Sequence, residues 1–164
     1  MSVRLVLSAM LATLIPVQAA LAACPSELAV YRDLADAAGI DFRPAGEGAA
    51  ITNVFRLPLK NGPVLDGVVM WTEAPSQSWG VVTLDCPEGD VTGEELRQCT
   101  VWEGPVYAMR EDGTAGYLPR EGEPAATHLI LAGLSYQVQA APALAERQPD
   151  LLPDDIFQLS GCQE

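Results

Sequence analysis

The chain has 164 residues, with 22 acidic side chains against nine basic ones, one histidine and a formal net charge of −13. That length gives one domain with room for a real hydrophobic core. The charge repels nucleic acid and anionic membrane surfaces, so nucleic acid is excluded as a partner.

The N-terminus combines one charge, Arg4, with an apolar run from Leu5 to Ile15, then Pro16 and the small-x-small sequence Ala20-Leu21-Ala22. This pattern predicts a cleavable signal peptide over residues 1–22 and a mature domain over 23–164, with no transmembrane span in the mature chain. Loss of Arg4 leaves eight basic residues and a net charge of −14. Eight arginines against one lysine, with abundant Ala, Gly and Pro, read as a GC-rich bacterial source. The predicted location is the periplasm. A competing reading takes Leu21-Ala22-Ala23-Cys24, which resembles the lipobox of bacterial lipoproteins, and implies a lipid anchor at Cys24.

Past the leader, Ser26 stands as a cap before Leu28, Tyr31, Leu34, Ala35 and Ala38, spaced by threes and fours. This predicts an amphipathic helix over 26–38 that stops at Gly39. Residues 40–48 carry Pro44, Gly46 and Gly48 and read as a loop. Strands are predicted over 50–59, 64–72 and 79–85, with Lys60-Asn61-Gly62 as the first turn and 74–78 as a polar loop. The second strand is apolar on both parities, which places it centrally, covered on each side. Thr92-Gly93-Glu94-Glu95 matches a capping box opening a short helix over 93–98. Further strands are predicted over 100–110 and 115–118, joined at Asp112-Gly113. Residues 119–125 read as a loop and 127–132 as an apolar element. Tyr136 and Val138, alternating with glutamines, favour another strand. The proline-rich tail has a helical turn over 143–148, and Ile156, Phe157 and Leu159 anchor its end. The sum is an α+β domain: an antiparallel sheet of about five to six strands with an N-terminal helix packed on one face. An all-β sandwich or barrel is the alternative.

Four cysteines in an exported chain favour two disulfides. Three pairings exist, and the favoured one joins Cys86 to Cys99 and Cys24 to Cys162. Lipidation of Cys24 would strand Cys162, which argues for the disulfide. No Cys-x-x-Cys pair is present for zinc.

Chemical motifs are sparse. There is no Gly-x-Ser-x-Gly elbow, no Gly-x-Gly-x-x-Gly and no phosphate-binding loop, so no cofactor is expected. Any histidine-dependent mechanism must use His128, which lies in an apolar segment and reads as structural. Glu88, Asp90, Glu94 and Glu95 offer oxygen ligands for calcium, but their spacing fits no EF-hand and they read as solvated loop acids. Trp71, Trp79 and Trp102 read mainly as core residues. Of these, Trp79 and Trp71 are the ones nominated for a binding surface. These observations favour a non-enzymatic envelope protein with a binding or accessory role toward a basic protein or a small ligand. The alternatives are a small carboxylate-dependent hydrolase or carbohydrate-active enzyme, and a lipid-anchored assembly factor.

Overall fold

A computed structural model describes residues 23–46, 50–73 and 76–164. The signal peptide predicted over residues 1–22 lies outside the described residues. The expectation of an α+β sheet with an N-terminal helix is overturned. The protein is a closed antiparallel barrel of eight strands with two short helices.

Nine strands follow in chain order: β1 Ala29–Asp33, β2 Gly39–Arg43, β3 Ile51–Pro58, β4 Val64–Glu73, β5 Ser76–Thr83, β6 Thr100–Met109, β7 Ala115–Tyr117, β8 His128–Leu131 and β9 Ile156–Cys162. Each of β1 to β6 pairs with its successor; β6 then pairs with β8, β8 with β9, and β9 with β1. The barrel is therefore an up-and-down meander. β7 lies outside the ring, paired with the last residues of β6. Closure leaves the eight ring strands with a neighbour on each side, which removes the sheet edges that invite association.

The predicted N-terminal helix is a single 3₁₀ turn, Ser26–Leu28, followed by β1. Ala29, Tyr31 and Asp33 alternate inward, a period of two that the helical spacing of Leu28, Tyr31 and Leu34 conceals. Leu34 is 82% exposed in the turn that follows. That turn is organised by Asp33, whose Oδ1 accepts the Ala37 amide at 2.7 Å and the Ala38 amide at 3.3 Å, while Oδ2 accepts the Asp154 amide at 3.0 Å. Three N–H donors stabilise a carboxylate that is otherwise buried. The loop expected over 40–48 begins instead with β2, and the tail anchor around Phe157 is β9, the strand that closes the barrel against β1.

Inward positions hold large apolar side chains, with Trp102, Tyr31, Phe157 and Leu57 essentially inaccessible. Eight strands enclose just enough space for such side chains. Room for the aromatics comes from glycines across the sheet. Gly67 pairs with Phe55, and Gly80 lies against the Trp102 ring. The outer wall carries cross-strand ion pairs, Arg32–Asp41 and Arg56–Asp66. An apolar lining inside charged walls is the reverse of a bilayer-spanning barrel. No described helix is long and apolar enough to cross a membrane. β4 is not covered on both sides: Leu65, Gly67 and Val69 face the core, while Val68 and Met70 are half-buried on the outer wall.

The two ends differ. One carries the longer connections: α1 (Gly93–Cys99) between β5 and β6, and α2 (Leu134–Ala140) between β8 and β9. The Thr92 box caps α1 with both reciprocal bonds present. The strand expected at Tyr136 and Val138 is α2. Its entry is fixed by Asp155, which accepts the Gly133 amide at 2.7 Å and the Ser135 amide at 3.0 Å. The opposite end, the mouth, gathers residues 23–28, the ends of β2 and β4, the starts of β3 and β5, the excursion 110–127 around β7, and the end of β9.

Two disulfides are present, one at each end. Cys86–Cys99 has a Cα separation of 5.2 Å, and Cys24–Cys162 one of 5.7 Å. With its sulfur bonded to Cys162, Cys24 has no thiol free for a lipid. Both bonds fit an oxidising compartment.

Candidate functional site

At the mouth the β5–β6 pairing ends at Trp79 and Pro105, and β7 pairs with the last residues of β6. Ser78, buried on β5, stitches the seam: its hydroxyl donates to the Val106 carbonyl at 2.6 Å and accepts the Leu118 amide at 3.2 Å. The chain then enters a loop over 119–125 that the N-terminal segment holds tightly. Ser26 donates its hydroxyl to the Arg120 carbonyl (2.6 Å) and its amide to the Glu123 carbonyl (2.9 Å). The Gly122 amide, at φ +80°, donates to Glu27 at 2.8 Å, and the Ala125 amide to the Cys24 carbonyl at 2.8 Å. Glu123 accepts the Arg120 amide at 2.9 Å. Beneath the loop, the Tyr31 hydroxyl donates to Ala126 and the Asn53 amide to Pro119. The Gly122 amide and then Glu27's own amide hold the Glu27 carboxyl below its ordinary range.

This rigid loop presents Arg120 over the face of Trp71, 4.7 Å from the ring centroid. The edge of Tyr117 closes the other side of the indole, at 5.4 Å and 77°. The negative face of the indole attracts the guanidinium and holds it at the cleft. Trp71, Tyr117, Arg110, Arg120 and Glu123 line a narrow cleft of about 210 Å³. Through Arg110, Pro119 and Glu123 it continues into a wider arm of about 570 Å³, walled by Cys24, Pro124, Ala125 and Leu159, with Glu111 and Ala23 at its rim. Together the arms fall in the size range of small-molecule sites, which favour barrel mouths.

Electrostatics single out the same place. Among the described residues, five basic side chains sit in ion pairs: Arg32, Arg56, Lys60, Arg97 and Arg147. Arg43, Arg110 and Arg120 are in none, and the last two line this cleft. Buried polar groups at the mouth are also incompletely satisfied. Asn53 Oδ1 and Trp71 Nε1 are inaccessible and lack hydrogen-bond partners. Asn53 pairs with Val69, two residues before Trp71 on the same inward face, so an unmet acceptor and an unmet donor are near neighbours. Each such group costs about 1–3 kcal/mol, and departures of this kind concentrate at functional sites.

The two tryptophans nominated for a binding surface are not brought together. Trp71 points into the mouth. Trp79, opposite Met70 and Pro105, lies on the outer wall. Trp102 is fully buried and donates its indole N–H to the Ala132 carbonyl at 3.1 Å. His128 sits on the outer wall of β8, with Nδ1 3.2 Å from the Thr127 hydroxyl. Of the acids weighed for calcium, Glu95 is occupied by the α1 cap, and Glu94 pairs with Arg97. Among the described residues no group of three or more His, Cys, Asp or Glu is placed to hold a metal ion. The sequence reading missed Arg110, Arg120, Tyr117 and Asn53. The one signal it offered was two arginines flanking the short β7 hairpin in a strongly acidic chain. No protein-family model matches the chain, and no curated protein or solved structure matches it.

Proposed function

We propose that this is an exported envelope protein, resident in the periplasm after removal of residues 1–22. It acts without catalysis, as a binding protein whose site is the barrel mouth. Its ligand is a small molecule with an oxyanion head, carboxylate or phosphate, on a largely apolar body. The observation that carries this reading is the convergence of Arg110 and Arg120, neither ion-paired among the described residues, on one cleft walled by Trp71. Guanidinium groups match both oxyanions in a two-point geometry. Pro119, Pro124, Ala125 and Leu159 suit the body. The net charge repels anions at long range, but at physiological salt fields fall off over about 8 Å, so the groups lining the cleft, and not the distant surface acids, set what the ligand meets there. The filled barrel interior leaves the mouth as the recognition surface.

The test is calorimetric titration with benzoate, phenyl phosphate and the neutral isostere benzamide. Binding of either anion but not of benzamide is expected, with Arg110→Ala and Arg120→Ala each weakening it about tenfold or more. Equal binding of benzamide, or no binding of either anion, overturns the reading. The acidic surface supports a second reading, a basic protein partner. That association should weaken as salt rises from 20 to 300 mM, about a fourfold shortening of the screening length.

A further inference from the structure

Ala23 lies in the wall of the wide arm, beside Arg110, Glu111 and Glu123. The side chains lining the two arms carry two positive charges, Arg110 and Arg120, and two negative ones, Glu111 and Glu123. On side chains alone, the cleft is balanced. Its sign then depends on the nitrogen of Ala23. In the precursor that nitrogen is a neutral amide bonded to Ala22. In a chain cut after Ala22 it is an α-ammonium.

We propose that signal-peptide cleavage completes the site: the new α-ammonium of Ala23 turns the balanced cleft positive and becomes part of the recognition machinery for the oxyanion ligand. This rests on the binding reading above and adds a third cationic group to it. The residues that follow Ala23 are held in place by their neighbours. Cys24 is fixed on both sides, by its bond to Cys162 and by the Ala125 amide donating to its carbonyl. The next residues clamp the Arg120 loop through Ser26 and Glu27. The ammonium therefore sits one residue from an anchored position, at the rim of the same pocket as the loop it helps hold. Glu111 and Glu123 draw the ammonium toward the cleft, and its single charge offsets one of theirs, which leaves a net positive charge to meet the ligand. The precursor, lacking this charge, binds weakly before export, so the site becomes competent in the compartment where the protein works.

The experiment compares two forms of the full mature chain, purified after export, by titration with benzoate and phenyl phosphate. One has a free Ala23 amine; the other is acetylated there, in a Lys60→Arg background so that the single lysine is not modified. Lys60 lies at the far end of the barrel, paired with Asp36. The expected result is a loss of affinity of about fivefold or more on acetylation, from removal of one charge near the ligand. The free-amine form should also weaken between pH 7 and 9, as an amine with an ordinary pKa of about 7.7–8.0 deprotonates, and the acetylated form should not. The charged groups facing that amine are Arg110, Glu111 and Glu123. Equal affinity in both forms overturns this inference and leaves the binding reading standing. An exported chain beginning elsewhere than Ala23 overturns it as well. Failure of both forms to bind either anion removes the binding reading and this inference with it.

Discussion

Gly67→Ala should destabilise the barrel far more than the addition of one methyl group suggests. Gly67 stands directly across from Phe55, and a Cβ there would come within 2.2 Å of two ring carbons and 2.6 Å of a third. Carbon atoms prefer separations of about 3.5–4.0 Å, so the ring must retreat by more than about 1 Å. It has nowhere to go. Phe55 is 2% exposed, and the Phe42 ring lies on its flank at 5.5 Å. Overpacking of this kind costs about 1–3 kcal/mol, and the rigidity of a closed barrel places this site at the upper end. For a domain of this size that is a fall in Tm of about 10 °C. Equilibrium urea unfolding of Gly67→Ala, Phe55→Leu and the double variant measures it. Phe55→Leu removes the obstructing ring edge, so the double variant should be more stable than the sum of the single effects by about 1 kcal/mol or more. A Gly67→Ala protein within about 0.5 kcal/mol of the parent, or strict additivity in the double variant, refutes the reasoning.

Two further outcomes follow from the same structure. The Cys24–Cys162 bond spans 138 residues and Cys86–Cys99 spans 13, so chain entropy assigns them about 5 and 3 kcal/mol. Paired Cys→Ser variants in denaturant titrations should preserve that order, and a larger loss from the shorter loop contradicts it. Glu27, whose pKa is lowered chiefly by the Gly122 amide, stabilises the mouth above its unfolded pKa and loses that contribution as pH falls through its lower folded value. Glu27→Gln should therefore reduce stability at pH 7 but not at pH 2, and a deficit independent of pH argues against the charged hydrogen bond.

The middle of the chain was the most legible. The apolar runs of β3 to β6 read as strands, and the Asn61-Gly62 and Asp112-Gly113 turns and the Thr92 capping box are local signals that need no partner. The ends were not legible, because their structure depends on distant segments. β1 is a strand because β2 and β9 flank it, and nothing within residues 26–38 announces β9. α2 is a helix because Asp155, beyond the following loop, caps its first turn. The expected five or six strands fell short because β1 was read as helix, β2 as loop and β9 as tail. The same dependence hid the site. Arg110, Arg120 and Trp71 are separated in sequence, and only the excursion through β7, folded back on the end of β6, brings them to one cleft. Cysteine parity carried further, because an even count in an exported chain constrains pairing without reference to the fold.

The central claim, that the mouth rather than the outer wall recognises an oxyanion, is tested most directly by NMR of the three tryptophan indole N–H groups during titration with phenyl phosphate. Trp71 sits in the cleft under Arg120, Trp79 on the outer wall and Trp102 in the core. The account predicts a saturating shift of the Trp71 indole that Arg120→Ala weakens, with the Trp79 and Trp102 indoles unmoved. A shift confined to Trp79, or no shift at Trp71 at saturating ligand, contradicts it.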